Sequence, residues 1–401
     1  MREDKRSIPW TSEVEQTAME DLDNLDIIVR DASSSWKRLD SIDVKILEGI
    51  TRLGPRNLLQ VGELIQVPHA TVRFRLKRML ESSNLFLHLV PNTNNMGLKR
   101  AVVFIEAATG CEFDLLDFLK VNDFWVFLCP IYGKFEGYVG IWTIPCENVS
   151  EFNAFLLKLQ EIEVARDIEC IWTTPFHSIS VSSRWFDSDE KTWYLKWSDW
   201  IEELENIEGK LPNLLCEPKD WPLDVDYTDL SIIAELENDA ILSLSEISKI
   251  LDLPRSTIKY HFYQHIQKRD LIGGYSVEIY RYPFPICEIL FFKFDFDSYE
   301  KMRKFALSLL DKPIAISMGK VHGENSLISH IFLPKRELRR FIRALVILVK
   351  KGLMKSYHYH IQDMYRTMRE TIPFEHFKNG EWSYSLDDQL KKIDNLLRNG
   401  N

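Results

Sequence analysis

Little in this sequence would staple, anchor or export the chain. Its six cysteines (Cys111, Cys129, Cys146, Cys170, Cys216 and Cys287) lie far apart, with no CxxC pair and no Cys/His spacing suited to a metal. They are expected to be buried thiols, and no metal ligands are expected. No run approaches the roughly 18 consecutive apolar residues of a membrane span, and the opening MREDKRSIPW has no apolar signal-peptide core. A cytoplasmic location without a membrane partner is the expectation. Phosphate-binding glycine loops and nucleophile elbows are missing too, so no cofactor is expected and most catalytic classes fall away. Positive charge is scarce: 50 Lys and Arg stand against 60 Asp and Glu, a net −10 with pI near 5.6. That total opposes phosphate-backbone affinity unless the basic residues gather on one surface.

What the chain does have is length for several cores, with 401 residues of which 45% are hydrophobic, and an internal repeat. LQVGELIQVPHATVRFRL (59 to 76) runs without a gap against SLSEISKILDLPRSTIKYHF when Pro68 meets Pro254, an offset of 254 − 68 = 186. The same offset pairs Asp43 with Asp229, Val61 with Ile247, Thr71 with Thr257, Val72 with Ile258, Arg73 with Lys259, Phe74 with Tyr260 and Leu85 with Leu271. Self-similarity at a fixed spacing means repeated structural units.

Each unit opens with three short helical patterns. In the first, Ile42, Ile46, Leu47 and Ile50 keep helical spacing after the cap residues Asp40 and Ser41, and the pattern stops at Gly54-Pro55. A second helix is expected over Leu58 to Ile65, and a third over Thr71 to Glu81 with Val72, Leu76 and Met79 facing inward. Wing strands are expected at Leu85 to Val90 and Tyr275 to Tyr280. A βαββαβ order follows in both units, which suits a ferredoxin-like sheet. The fold class is therefore α+β: two tandem repeats of winged helix-turn-helix plus ferredoxin-like domain, forming an intramolecular pseudo-dimer. The expected boundaries are an N-terminal extension (1–38), winged helix one (39–93), α/β domain one (98–182), a Trp-rich helical linker (183–222), winged helix two (223–282), α/β domain two (286–370) and an aromatic, helical tail (371–401).

Four segments resemble the Lrp/AsnC, or feast/famine, family of prokaryotic regulators: LDSIDVKIL (39–47), TVRFRLKRMLESSNLF (71–86), TIKYHFYQHIQKRDLIGGY (257–275) and GKFEGYVGIW (133–142). Taken twice, the resemblance covers most of 39–175 and 223–365. It implies a sequence-specific, DNA-binding transcription regulator whose α/β domains pair through their sheets and sense a small molecule. Gly133, Tyr138, Gly319 and Asn325 fall in the family's effector region. Homo-oligomers or the transcription machinery are further expected partners.

The residues themselves support contact with double-stranded DNA. Helical geometry turns His69, Arg73, Phe74 and Lys77 outward in unit one, and Arg255, Ser256, Lys259, Tyr260 and Tyr263 outward in unit two. Cations with short polar side chains near a helix N-terminus suit guanine edges and phosphates, and Thr71 and Thr257 add hydroxyls there. Arg75, Arg78, Lys268 and Arg269 are expected to clamp the DNA backbone. The acidic surplus lies elsewhere, as in Glu13 to Asp31 and Glu202 to Glu208.

Two other functions compete. Siroheme decarboxylases are similar to Lrp/AsnC proteins and use histidines and basic residues of the α/β domain, for which His177, His322, His330, His358 and His360 are available. An adaptor binding proteins through acidic and Trp-rich surfaces is the third reading. The regulator is preferred, so the chain is expected not to be an enzyme.

Overall fold

A computed structural model describes residues 39–82, 85–279, 286–363 and 365–399. The expected N-terminal extension, with its helix around Val14 to Val29, lies outside the described residues.

Unit one begins with helices α1 (Ser41–Leu53), α2 (Leu58–Ile65) and α3 (His69–Ser82), and the buried faces of α1 and α3 are those the 3.6-residue spacing marks. Asp40 caps α1 in a reciprocal box with Asp43, satisfying backbone N–H groups that the first turn leaves unpaired. The helix ends at Gly54, whose φ of +80° and close approach to Tyr275 both call for a residue without Cβ.

Next come strand β1 (Leu85–Pro91) and an α/β domain of β2 (Leu98–Ala107), α4 (Leu115–Lys120), β3 (Trp125–Tyr132), β4 (Gly137–Pro145), α5 (Val149–Glu161) and β5 (Ala165–Thr173). Short strands β6 (His177–Ser178), β7 (Phe186–Asp187) and β8 (Thr192–Trp193) lead to α6 (Trp197–Asn206). Unit two repeats the order with α7 (Tyr227–Asn238), α8 (Leu244–Ile250) and α9 (Arg255–Tyr260), the last running on as a widened π turn over His261–Ile266. Strand β9 (Ile272–Ile279) precedes β10 (Cys287–Asp295), α10 (Tyr299–Leu309), β11 (Ala315–Lys320), β12 (Ser326–Pro334), α11 (Lys335–Lys350) and β13 (Ser356–Gln362). Strands β14 (Met368–Arg369), β15 (Phe377–Lys378) and β16 (Glu381–Trp382) lead to α12 (Leu386–Asn399).

The two α/β domains share one sheet in the order β5-β2-β4-β3-β13-β10-β12-β11-β6, so each domain contributes the same fourth-first-third-second sequence of strands. Ile361 and Gln362 of β13 pair with Tyr132 and Ile131 of β3, while β6 pairs with β11 and Thr173 bridges to Val321. The β3, β13 and β11 edges therefore pair across the units, which satisfies edge N–H and C=O groups there, while β5 ends the sheet and touches the other unit at the Thr173 bridge. Phe104, Cys129, Val139, Phe291 and Ile328 fill the space between the sheet's two halves.

Strands form where the wings are expected, as β1 and β9. Strands β1 and β9 do not fold back within their own units; they pair antiparallel with each other, Leu85 opposite Ile279 and Leu89 opposite Tyr275. One strand per unit has no local partner, so the ladder closes between units. Arg56 strengthens this joint by donating to the carbonyls of Ala240 and Leu242 across the interface.

The linker differs. A helical linker is the expectation over 183–222, but Trp193 lies in the β7–β8 hairpin, where the Phe186 and Trp193 rings meet at 4.9 Å. Helix α6 packs on the other unit: Trp200 stacks 6.0 Å from Phe341 of α11 and donates its Nε1–H to Ser308 of α10. Helix α12 returns the exchange, burying Ile393 in the core of the first α/β domain. Each unit's outer helical layer is thus covered by a segment of the other.

Candidate DNA-reading helices and central cleft

On α3, His69, Arg73, Phe74 and Lys77 are exposed, Phe74 to 68%, while Val72, Leu76 and Met79 are buried. On α9 and its π turn, Arg255, Ser256, Lys259, Tyr260 and Tyr263 are exposed, as is Lys268 just beyond, and Ile258, Phe262 and Ile266 are buried. Thr71 and Thr257 are half-buried at the inner edges of these faces.

The remaining arginines of the expected DNA set are ion-paired within their own units, Arg78 while staying exposed. Arg75 reaches Asp40 at 2.6 Å and Asp43 at 3.0 Å, and Arg78 reaches Asp43 at 2.7 Å. Asp43 is almost fully buried, so these cations neutralise a carboxylate that would otherwise be costly inside the unit. Arg269 likewise holds the Asp224 carboxylate and donates to its backbone carbonyl. The acidic partner in each case lies in or just before the first helix of the unit, 32 or more positions away, which is why the third-helix sequence alone reads as a cationic surface.

The four effector-region residues occupy two separate hairpins. Gly133 and Tyr138 flank the β3–β4 turn, and Gly319 and Asn325 flank β11–β12, with β13 and β10 between the two hairpins in the sheet. Gly319 lies beneath Phe176, where a Cβ would come within 2.6 Å of the ring, and Tyr138 is buried. The structure does not bring the four together.

A different place does gather polar groups. Between the β1–β9 ladder, the end of α7 and the sheet lies a cleft of about 300 Å³ lined by Arg100, Glu237, His330, Gln362 and Arg369 among apolar residues including Phe127, Ile141 and Phe176. Arg100 Nε, Thr143 Oγ1, His330 Nε2 and Gln362 Nε2 are buried without a hydrogen-bond partner among the described residues. Buried polar atoms are normally satisfied, so four around one cavity mark a place for a polar ligand or water. Burial pushes the Glu237 carboxyl up to about 8, although it accepts a hydrogen bond from the Ile372 N–H and lies near Arg100. Burial pulls Arg100 down to about 10 and His330 down to about 3. At neutral pH the inner part of the cleft therefore holds the Arg100 guanidinium, a neutral His330 imidazole and a Glu237 carboxyl that burial keeps protonated, while Arg369 at its rim is ion-paired with Glu278. Ser317 Oγ lies 3.1 Å from His330 Nδ1, leaving Nε2 as the unpartnered nitrogen.

Of the histidines marked in the sequence, His330 alone lines this cleft. His358 is exposed on β13, His322 packs against Trp221, and burial holds His177 below the usual imidazole range. Arg100 and Glu237 were missed. A charged residue inside the apolar run LKRAVVFIEA was the available signal for Arg100; Glu237 looks like any helical glutamate.

A winged helix-turn-helix DNA-binding family model matches residues 225–262. No curated protein matches the chain. The crystal structure of the siroheme decarboxylase NirDL matches with TM-score 0.51 and 9% identity, over 88% of this chain and 98% of that one. The same enzyme in co-complex with an iron-uroporphyrin III analogue matches with TM-score 0.52 and 9% identity, over 90% and 100%. Escherichia coli AsnC matches at 14% identity over 34% of this chain and 92% of its own, with TM-score 0.26. Among the described residues no helix is long and apolar enough to cross a membrane. The expectation that the chain is not an enzyme is overturned, because structures alike along nearly its whole length are those of an enzyme. What the comparisons establish is the fold: winged helix-turn-helix units joined to ferredoxin-like domains, in the arrangement also seen in a siroheme decarboxylase.

Proposed function

We propose that this protein binds double-stranded DNA through α3 and α9 and acts as a transcription regulator, its two units being copies of one ancestral module joined as a covalent dimer. The observation that carries the reading is the pair of exposed cationic faces, Arg73 and Lys77 on one helix and Arg255 and Lys259 on the other, on units fixed to each other by the β1–β9 ladder. Paired reading helices on one rigid support suit two half-sites. The faces differ in chemistry, Phe74 against Tyr260 and His69 against Arg255, so an asymmetric site is expected. Anisotropy of a labelled mixed-sequence 30-bp duplex, titrated with wild type and with Arg73→Ala/Lys77→Ala, tests this. Salt-insensitive binding, or none, refutes it.

The cleft favours a second reading, that of a site for a carboxylate-bearing ligand. Arg100 supplies positive charge, His330 and Gln362 supply unpartnered nitrogens, and the aromatic walls accept an apolar body. A decarboxylase-type reaction fits this set: carbon dioxide leaves a carboxylate held by Arg100, and the resulting carbanion takes the proton that Glu237 holds. At about 300 Å³ the cavity holds an acid-bearing arm rather than a whole macrocycle. Titration with iron-uroporphyrin III, followed by its absorbance, should show binding that Arg100→Gln weakens at least tenfold; equal binding by the variant would sink the reading.

A further inference from the structure

The two capping boxes are alike, but what neutralises them is not. Asp226 and Asp229 stand at the start of α7 as Asp40 and Asp43 stand at the start of α1. In unit one, Arg75 and Arg78 complete the site. The position equivalent to Arg75 is 75 + 186 = 261, a histidine, and Arg78 corresponds to Gln264. His265, one turn on from His261, supplies a second imidazole where unit one buries Met79.

The four side chains converge. His261 Nδ1 lies 2.8 Å from Asp229 Oδ1 and 3.5 Å from Asp226 Oδ2; His265 Nδ1 lies 3.2 Å and 3.6 Å from the same two oxygens. All four atoms fall within 4.8 Å of one another, and this is the one such group of three or more His, Cys, Asp or Glu among the described residues. In a tetrahedral site with bonds of about 2.0–2.1 Å, neighbouring donors stand about 3.3–3.4 Å apart, and three of the four distances lie within about 0.3 Å of that. The carboxylates are oriented by their other oxygens: Asp226 Oδ1 accepts the Asp229 N–H, and Asp229 Oδ2 accepts the Asp226 N–H and faces Arg269 at 3.6 Å. Fixing ligands through their outer atoms is what metal sites require. The π turn is the second independent feature. It places His261 and His265 on one side of the helix with ring centroids 4.7 Å apart, and such turns recur at functional sites.

The geometry points to a divalent transition-metal site of the zinc class, formed by Asp226, Asp229, His261 and His265, that ties the start of α7 to the reading helix of unit two. Imidazole and carboxylate donors in a four-coordinate array suit Zn²⁺ and Co²⁺ over the harder Mg²⁺ and Ca²⁺. The metal would do in unit two what two guanidinium groups do in unit one. Asp226, half-exposed, is the entry side; Asp229 is buried at the base.

The test uses the full chain, stripped with a chelator and titrated with Co²⁺. One equivalent should bind with the intense visible bands of four-coordinate cobalt, Zn²⁺ should displace it, and the melting temperature should rise with free metal. His265→Gln should lower Co²⁺ affinity more than about 100-fold. The double variant His261→Arg/Gln264→Arg installs the arrangement of unit one; it should keep the wild-type circular dichroism and melt without metal dependence, while losing the cobalt bands. Absence of one-equivalent binding by the wild type, bands of six-coordinate character, or bands that persist in the folded double variant would each overturn the assignment.

Discussion

Salt dependence distinguishes the reading faces from the cations that hold the fold together. Five exposed cations lie on or beside those faces: Arg73, Lys77, Arg255, Lys259 and Lys268. If each neutralises one phosphate, the slope of log K against log salt approaches about −4.5, at about 0.9 per contact. Arg73→Ala/Lys77→Ala removes two, taking the slope to about −2.7 and the affinity at 0.1 M salt down by about 60-fold, because about 1.8 units of slope act over one decade from 1 M. Arg75→Ala removes one formal charge from the same helix, which would take the slope to about −3.6 if it met a phosphate, yet its guanidinium is bound to Asp40 and Asp43. It should leave the slope unchanged and cost about 1.5–3 kcal/mol of stability, because Asp43 loses one of its two guanidinium partners and keeps Arg78. Anisotropy of a labelled duplex between 50 and 300 mM KCl, with melting curves on the same samples, reads both quantities. An unchanged slope in the double variant, or an equal loss of slope in folded Arg75→Ala, refutes the reasoning.

Two further outcomes concern stability. Glu237 is held protonated by burial, with its folded value near 8 against 4.5 for the free side chain, so the folded state carries a proton that the unfolded state releases. The stability from this group is present below about pH 4.5 and is lost as pH rises through 8, at about 1.4 kcal/mol per unit of difference. Glu237→Gln keeps an acceptor for the Ile372 N–H and should flatten the alkaline fall in melting temperature, overtaking wild type by pH 9; parallel curves would show the burial argument to be wrong. Trp200→Ala should cost about 3–5 kcal/mol, because the ring is fully buried between Phe305 and Phe341 and Ser308 loses its donor. A chemical denaturation midpoint within error of wild type would contradict that packing.

Local periodicity made the helices and their inner faces legible. Val72, Leu76, Met79, Ile258, Phe262 and Ile266 are buried as their spacing requires, and both α/β domains keep the expected strand order. Pairing between units was not legible. The partners of β1, β3 and β6 lie in the other unit, and nothing local to an edge strand names its partner. The charged residues of the fold were misjudged for the same reason. Arg75 and Arg78 look like surface cations until Asp43, 32 and 35 residues earlier, is placed beneath them. The cleft escaped notice because Arg100, Glu237 and His330 come from a strand, a helix and a strand spread over most of the chain. Helix α4 is confined to Leu115–Lys120, because residues 112–114 form turns ahead of it.

The exchange of α6 and α12 bears on how the molecule can come apart. A cut in the segment after α6 would leave an N-terminal fragment holding the lid of its partner and lacking its own, and a C-terminal fragment in the mirror situation. Neither piece is a domain in the sense of a body that closes over its own core. A chain divisible by sequence is thus expected to melt in a single transition, with neither half closing over its own core.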